Sequence, residues 1–168
     1  MRRLAAAAVA AFCAVALASC ERPASPHDKA GATEAFRHRL TGDVSGEYRP
    51  VAPIQIAGVG LDSVFIGQTA ALEAWEQGRG GSAPVVVVLR TPAGAVTVGP
   101  QSYQVTDEAV RFQGVGGQGM VVALNGRLDQ GALATARRNL GDQTPVIEGT
   151  LSVSGRTSPV RLALWTGD

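Results

Sequence analysis

From Pro145 to Trp165 the chain is written in period two. Ile147, Gly149, Leu151 and Val153 alternate with Val146, Glu148, Thr150 and Ser152. Ser154-Gly155 then turns the chain, and Val160, Leu162 and Leu164 alternate with Arg161, Ala163 and Trp165. Successive strand side chains project to opposite faces, so this spelling commits the segment to an antiparallel hairpin with one apolar face. Shorter stretches repeat it. Val44, Gly46 and Tyr48 oppose Ser45, Glu47 and Arg49, and Ile54 and Ile56 alternate again. Pro50 and Pro53 limit pairing, which predicts an edge position for the strand over 43–51.

The middle of the chain adds strands and two helices. Leu61–Ile66 is a short apolar strand or turn, and the β-branched run Val85–Leu89 predicts a strand buried on both faces. Thr91-Pro92-Ala93-Gly94 turns that run into Ala95–Val98. Ser102–Thr106 and Ala109–Gln113 form a second hairpin across Asp107-Glu108. Met120–Leu124 is another strand, and Asn125-Gly126 after it predicts a two-residue turn with Arg127-Leu128 pairing back. Thr69 caps a helix over Ala70–Gln77 that packs through Leu72 and Trp75 and stops at Gly78. Asp129 caps a second helix reaching Leu140, with Leu133, Ala136, Arg137 and Leu140 on one face and Gly141 beyond it. The expected fold class is α+β, mainly β: a twisted antiparallel sheet or small barrel of seven to nine short strands with two short helices.

The N-terminus has a different grammar. Met1-Arg2-Arg3 is followed by the unbroken apolar run Leu4–Leu17, the layout of a secretory signal peptide. Fourteen residues, most of them alanine, fall short of the roughly 20 that a membrane span needs. Leu17-Ala18-Ser19-Cys20 then resembles the lipobox of bacterial lipoproteins. The resemblance implies cleavage before Cys20, acylation of that cysteine and a membrane anchor. It also implies an outer-membrane address facing the periplasm, since Glu21 is not the Asp that signals inner-membrane retention. Glu21–Thr33, rich in Pro, Ala, Ser and charge, reads as a disordered tether of roughly 20 Å reach. The expected organisation is therefore signal peptide 1–19, lipidated Cys and tether 20–33, and a single β-rich domain over 34–168.

Composition narrows the function classes. Without Arg2 and Arg3 the 15 basic residues become 13 against 14 acids, which leaves no surplus for nucleic acid. Cys13 departs with the signal and Cys20 is acylated, so the exported domain has no thiol or disulfide. A mature chain of this length buries roughly two-thirds of its unfolded surface and needs no such staple.

Motifs that carry chemistry are few. Gly114-Val115-Gly116-Gly117-Gln118-Gly119 spells G-x-G-x-x-G, but a strand follows where dinucleotide binding needs a helix, so it reads as a glycine-rich hairpin loop. No nucleophile elbow accompanies His38, read as a surface residue, and His27 lies in the tether. No His/Cys zinc set is present, and no cofactor is expected. Glu73 and Glu76 read as a solvated helix face and Asp107-Glu108 as turn chemistry. Trp75 and Trp165 offer rings for stacking on a ligand.

Gly149-Thr150-Leu151-Ser152-Val153-Ser154-Gly155-Arg156-Thr157-Ser158-Pro159-Val160-Arg161-Leu162 resembles the C-terminal hairpin of the YceI-like, polyisoprenoid-binding bacterial envelope proteins. The resemblance covers these fourteen residues. It implies a lipocalin-like barrel around an apolar chain, with Leu151, Val160 and Leu162 on its wall. The opening region of that family has no counterpart here. The expected function is a non-catalytic envelope lipoprotein, membrane-bound through Cys20, that binds an envelope component or partner protein. An apolar-ligand carrier is the second reading and a cell-wall hydrolase the third. Trp75, Leu151, Val160, Leu162 and Trp165 are the candidate ligand contacts.

Overall fold

The C-terminal hairpin forms in the register its spelling demands. Ile147–Val153 pairs antiparallel with Arg156–Trp165, and Val153 stands opposite Arg156 across the turn. Ser154 and Gly155 both take positive φ there, 48° and 81°, the conformation a tight two-residue hairpin requires. The computed structural model describes residues 35–167, so the expected signal peptide, Cys20 and tether lie outside the described residues.

In chain order the strands are β1 (Phe36–Arg39), β2 (Gly46–Pro50), β3 (Gln55–Ile56), β4 (Val59–Ile66), β5 (Val85–Thr91), β6 (Gly94–Val98), β7 (Pro100–Thr106), β8 (Ala109–Val115), β9 (Val121–Leu128), β10 (Ile147–Val153) and β11 (Arg156–Trp165). Helix α1 (Thr69–Glu76) follows β4, and α2 (Gln130–Arg138) follows β9. One sheet runs β1-β7-β8-β9-β10-β11-β2-β4-β5-β6, with β3 paired to β4. It curls into an open half-barrel, and the mainly β, α+β class holds. Every ladder is antiparallel except β1–β7. β1 goes beyond the strands expected from alternation because four residues are too few to display it, while β3 falls where Ile54 and Ile56 alternate.

The inward faces meet in one core. Tyr48, Val64, Ile66, Val87, Leu89, Leu124, Ile147, Leu151 and Leu162 are among its fully buried members, together with Leu72 of α1 and Leu133 of α2. Burial of this continuous apolar surface, at about 25 cal/mol per Å², is the main term holding the sheet in its curl.

Five local expectations give way. The β2 strand is interior, between β11 and β4. Its β4 ladder stops at Tyr48, so the missing N–H of Pro50 costs nothing on that side. Val85, Val87 and Leu89 are buried, but Val86 and Val88 are only half-covered, so the strand buries one face fully and the other in part. Asn125-Gly126 is no turn; it continues β9, paired to β8 and β10 at once. Glycine serves close approach there instead, since a Cβ on Gly126 would stand 2.5 Å from Ile147 Cγ2. Thr69 is the first helical residue rather than the cap. Extended Gln68 takes the cap position, after Gly67 N–H has bonded to the Pro84 carbonyl at 2.6 Å. Finally, α2 ends at Arg138 and Leu140 is 75% exposed, because Asn139 leaves helical geometry and turns the chain outward.

Two caps form as expected. The Asp129 carboxylate accepts from Ala132 N–H at 3.0 Å, and Gly78 ends α1 at φ 69°.

Candidate functional site

Strand register sorts the outward side chains of β1, β7, β8, β9, β10 and β11 into three transverse rows. Arg37, Gln104, Arg111, Asn125, Thr150 and Pro159 make the first. Ser102, Gln113, Ala123, Ser152 and Thr157 make the second. The third runs from Arg39 and Thr106 to Ala109, Arg127, Glu148 and Arg161. Neighbouring strands are about 4.8 Å apart, so each row is a closely spaced line of mostly polar side chains.

Five guanidinium groups face one carboxylate across these rows. Arg161 Nε donates to Glu148 Oε1 at 2.9 Å, a pair exposed to solvent and weak on that account. Arg37, Arg111 and Arg127 have no ion-pair partner among the described residues. At the adjacent hairpin tip, Asp107 accepts from Thr41 N–H at 2.9 Å, which holds its carboxyl below the usual carboxylate range. Asp107 therefore stays ionised as a tie to the chain after β1.

A groove of about 400 Å³ opens over the first two rows; the outward side chains of Ala35, Arg37, Ser102, Gln104, Arg111, Gln113, Ala123 and Asn125 line it, with the chain at buried Tyr103 and Phe112 in its floor. Arg111 Nη1 donates to Gln104 Oε1 at 3.0 Å. That bond uses one N–H of Arg111 and leaves its other N–H groups for a ligand.

The residues singled out in the sequence separate into three places. Leu151, Val160 and Leu162 lie in the packed core. Trp75 is half-buried, meeting Phe36 edge-on with ring centroids 6.1 Å apart, and Phe36 in turn leans on Tyr103 at 5.4 Å. Trp165 is on the outward side of β11, beyond Arg161 at the end of the strand, 37% exposed, with the Arg49 guanidinium 3.6 Å over its ring. The five are not brought together at one site.

Two further readings change. His38 is not a surface residue, and Glu76 is not on a solvated face: their side chains are 13% and 19% exposed. His38 Nδ1 donates to Glu76 Oε1 at 2.9 Å, and the Tyr103 hydroxyl donates to the same oxygen at 3.1 Å. Packing of α1 on β1 causes this, because it carries the last turn of the helix beside His38. Burial raises the Tyr103 phenol above its ordinary range, and Glu76 adds to the rise. Glu73 is exposed, as expected. The arrangement is a clamp between β1, α1 and β7.

The glycine-rich stretch does form a hairpin loop, with a 3-10 turn at Gly117–Gly119 joining β8 to β9. Among the described residues no three His, Cys, Asp or Glu side chains gather closely enough to hold a metal ion, and no helix is long and apolar enough to cross a membrane. No family model, curated protein or solved structure matches the chain.

Sequence reasoning missed the groove. Its arginines lie on separate strands, 74 positions apart for Arg37 and Arg111, and form a row only through the non-local β1–β7 pairing. The one available signal was the polar half of each alternating strand.

Proposed function

We propose that this protein is a non-catalytic binding domain of the bacterial envelope. A lipid on Cys20 tethers it to the outer membrane, and its working surface is the outside of the curled sheet. The observation that carries this reading is the partition of the strands. Their inward side chains, Leu151, Val160 and Leu162 included, are used up in one contiguous core. Their outward side chains on β1, β7, β8 and β9 leave a polar, positively charged groove open. Interior packing weighs against the apolar carrier, which needs a wall of side chains with a ligand between them rather than each other. The sequence supports the address through Leu17-Ala18-Ser19-Cys20 after an apolar leader.

Cys20→Ser tests the address. In bacteria fed a clickable palmitate analogue, the unaltered chain is expected to take up label and sediment with outer membrane. The variant is expected to lose both. Carbonate-resistant membrane binding of the variant would mean that residues 4–17 are retained as an apolar anchor, and the lipoprotein reading would fall.

A further inference from the structure

The groove has a composition that selects its ligand. It joins two guanidinium groups, three carboxamides and a hydroxyl, from Arg37, Arg111, Gln104, Gln113, Asn125 and Ser102. Apart from the Arg111–Gln104 bond, these side chains have no side-chain hydrogen-bond partner among the described residues. Carboxamides offer a donor and an acceptor side by side, which matches a ring hydroxyl that must both give and receive. Guanidinium groups offer a planar fork that fits a carboxylate in two bonds.

From these observations we infer that the groove binds an acidic saccharide, a chain of sugar rings bearing carboxylates. This rests on the envelope-binding reading above and adds the ligand class. Gln104 separates Arg37 from Arg111 in the row, so the two arginines are rooted two strand spacings apart, about 10 Å between backbone positions. They can grip two acidic groups of one extended chain while Gln104 and Asn125 meet the hydroxyls between and beyond them. Val115 and Val121, a directly opposed exposed pair, lie one step past Gln113 and Ala123 and offer an apolar contact for a ring face. A membrane surface fits less well. Interfacial binding relies on Trp, Phe and Leu penetrating below the headgroups, and the groove has none of them on its outward rows.

Calorimetric titration of the full chain in neutral detergent micelles tests this. Tetragalacturonate is expected to bind with one-to-one stoichiometry, and neutral cellotetraose is not. Arg37→Gln and Arg111→Gln should each weaken tetragalacturonate by about tenfold or more, the loss expected for a charge-assisted hydrogen bond, at an unchanged thermal midpoint. Arg161→Gln, outside the groove and paired with Glu148, should leave affinity unchanged. The inference is overturned if tetragalacturonate does not bind, if cellotetraose binds equally, or if neither groove arginine matters. It is equally overturned if both variants abolish binding to phosphatidylglycerol-doped micelles while no saccharide binds, since the face is then a lipid contact. Failure of the envelope address is read separately, from the Cys20→Ser fractionation.

Discussion

Gly126 and Gly149 stand directly opposite each other across the β9–β10 ladder, both on the inward face of the sheet. A Cβ on Gly149 would lie 1.9 Å from the Asn125 carbonyl oxygen, and one on Gly126 would strike Ile147. The curl needs this bare patch, because bending a sheet inward crowds its concave side. Gly149→Ala is therefore expected to lower stability by about 1–3 kcal/mol, the usual cost of overpacking. Gly117→Ala in the β8–β9 loop has nothing within 4 Å and should change the thermal midpoint little. Thermal unfolding of the two variants checks the contrast, and equal losses would remove the argument.

That pair also marks where the sequence stops being legible. The β10–β11 hairpin could be read with its register because alternation and turn both lie within twenty residues. Asn125-Gly126 is spelled like a turn, and only the position of Gly149 on the next strand explains why it is a strand instead. The clamp at His38 was illegible for a similar reason: Glu76 is 38 residues away and meets it only after α1 packs on β1. The groove depended on four strands aligning, β1, β7, β8 and β9. Local patterns name elements and faces, whereas sites made across a sheet wait for pairing that no window contains.

The two buried tyrosines give the fold an alkaline limit. Burial raises the phenol of Tyr48, whose hydroxyl donates to the Val44 carbonyl at 2.6 Å, with nearby Asp43 adding to the rise against Arg137. Burial likewise raises Tyr103. A raised folded value means the native state holds its proton longer than the unfolded chain. The resulting stability is complete below the ordinary phenol value of about 10 and is lost as pH climbs above it. The tyrosine contribution should thus be flat from neutral pH to about 9.5, and stability should fall above pH 10 by up to roughly 1.4 kcal/mol per pH unit for each tyrosine. Tyr103→Phe should make the fall shallower; an unchanged slope would count against its share.

Glu76→Leu tests the clamp between strand and helix. It removes the acceptor that His38 and Tyr103 share, and leaves the buried Tyr103 hydroxyl only the Leu72 carbonyl at 3.4 Å. An expected loss of about 1–3 kcal/mol follows from stranding a buried donor. Glu73→Leu on the exposed side of the same helix should stay within about 0.5 kcal/mol. Urea unfolding compares them, and parity between the two would show that the clamp contributes nothing.

Leu151 separates a packed core from a ligand wall. It faces Leu124 across the β9–β10 ladder and is fully buried within the contiguous core. If side chains alone fill that interior, Leu151→Ala leaves a void and costs about 2–5 kcal/mol, while Leu151→Glu buries a charge without a partner and prevents folding. If an apolar chain occupied the interior, it would shift to cover an alanine, and the glutamate would expel the ligand without unfolding the protein. Packing favours the first outcome. Organic extraction of the native protein followed by mass spectrometry is then expected to release no stoichiometric lipid beyond any acyl groups proposed for Cys20. A folded Leu151→Glu variant, or an isoprenoid recovered at one equivalent, would instead place the working surface inside the sheet.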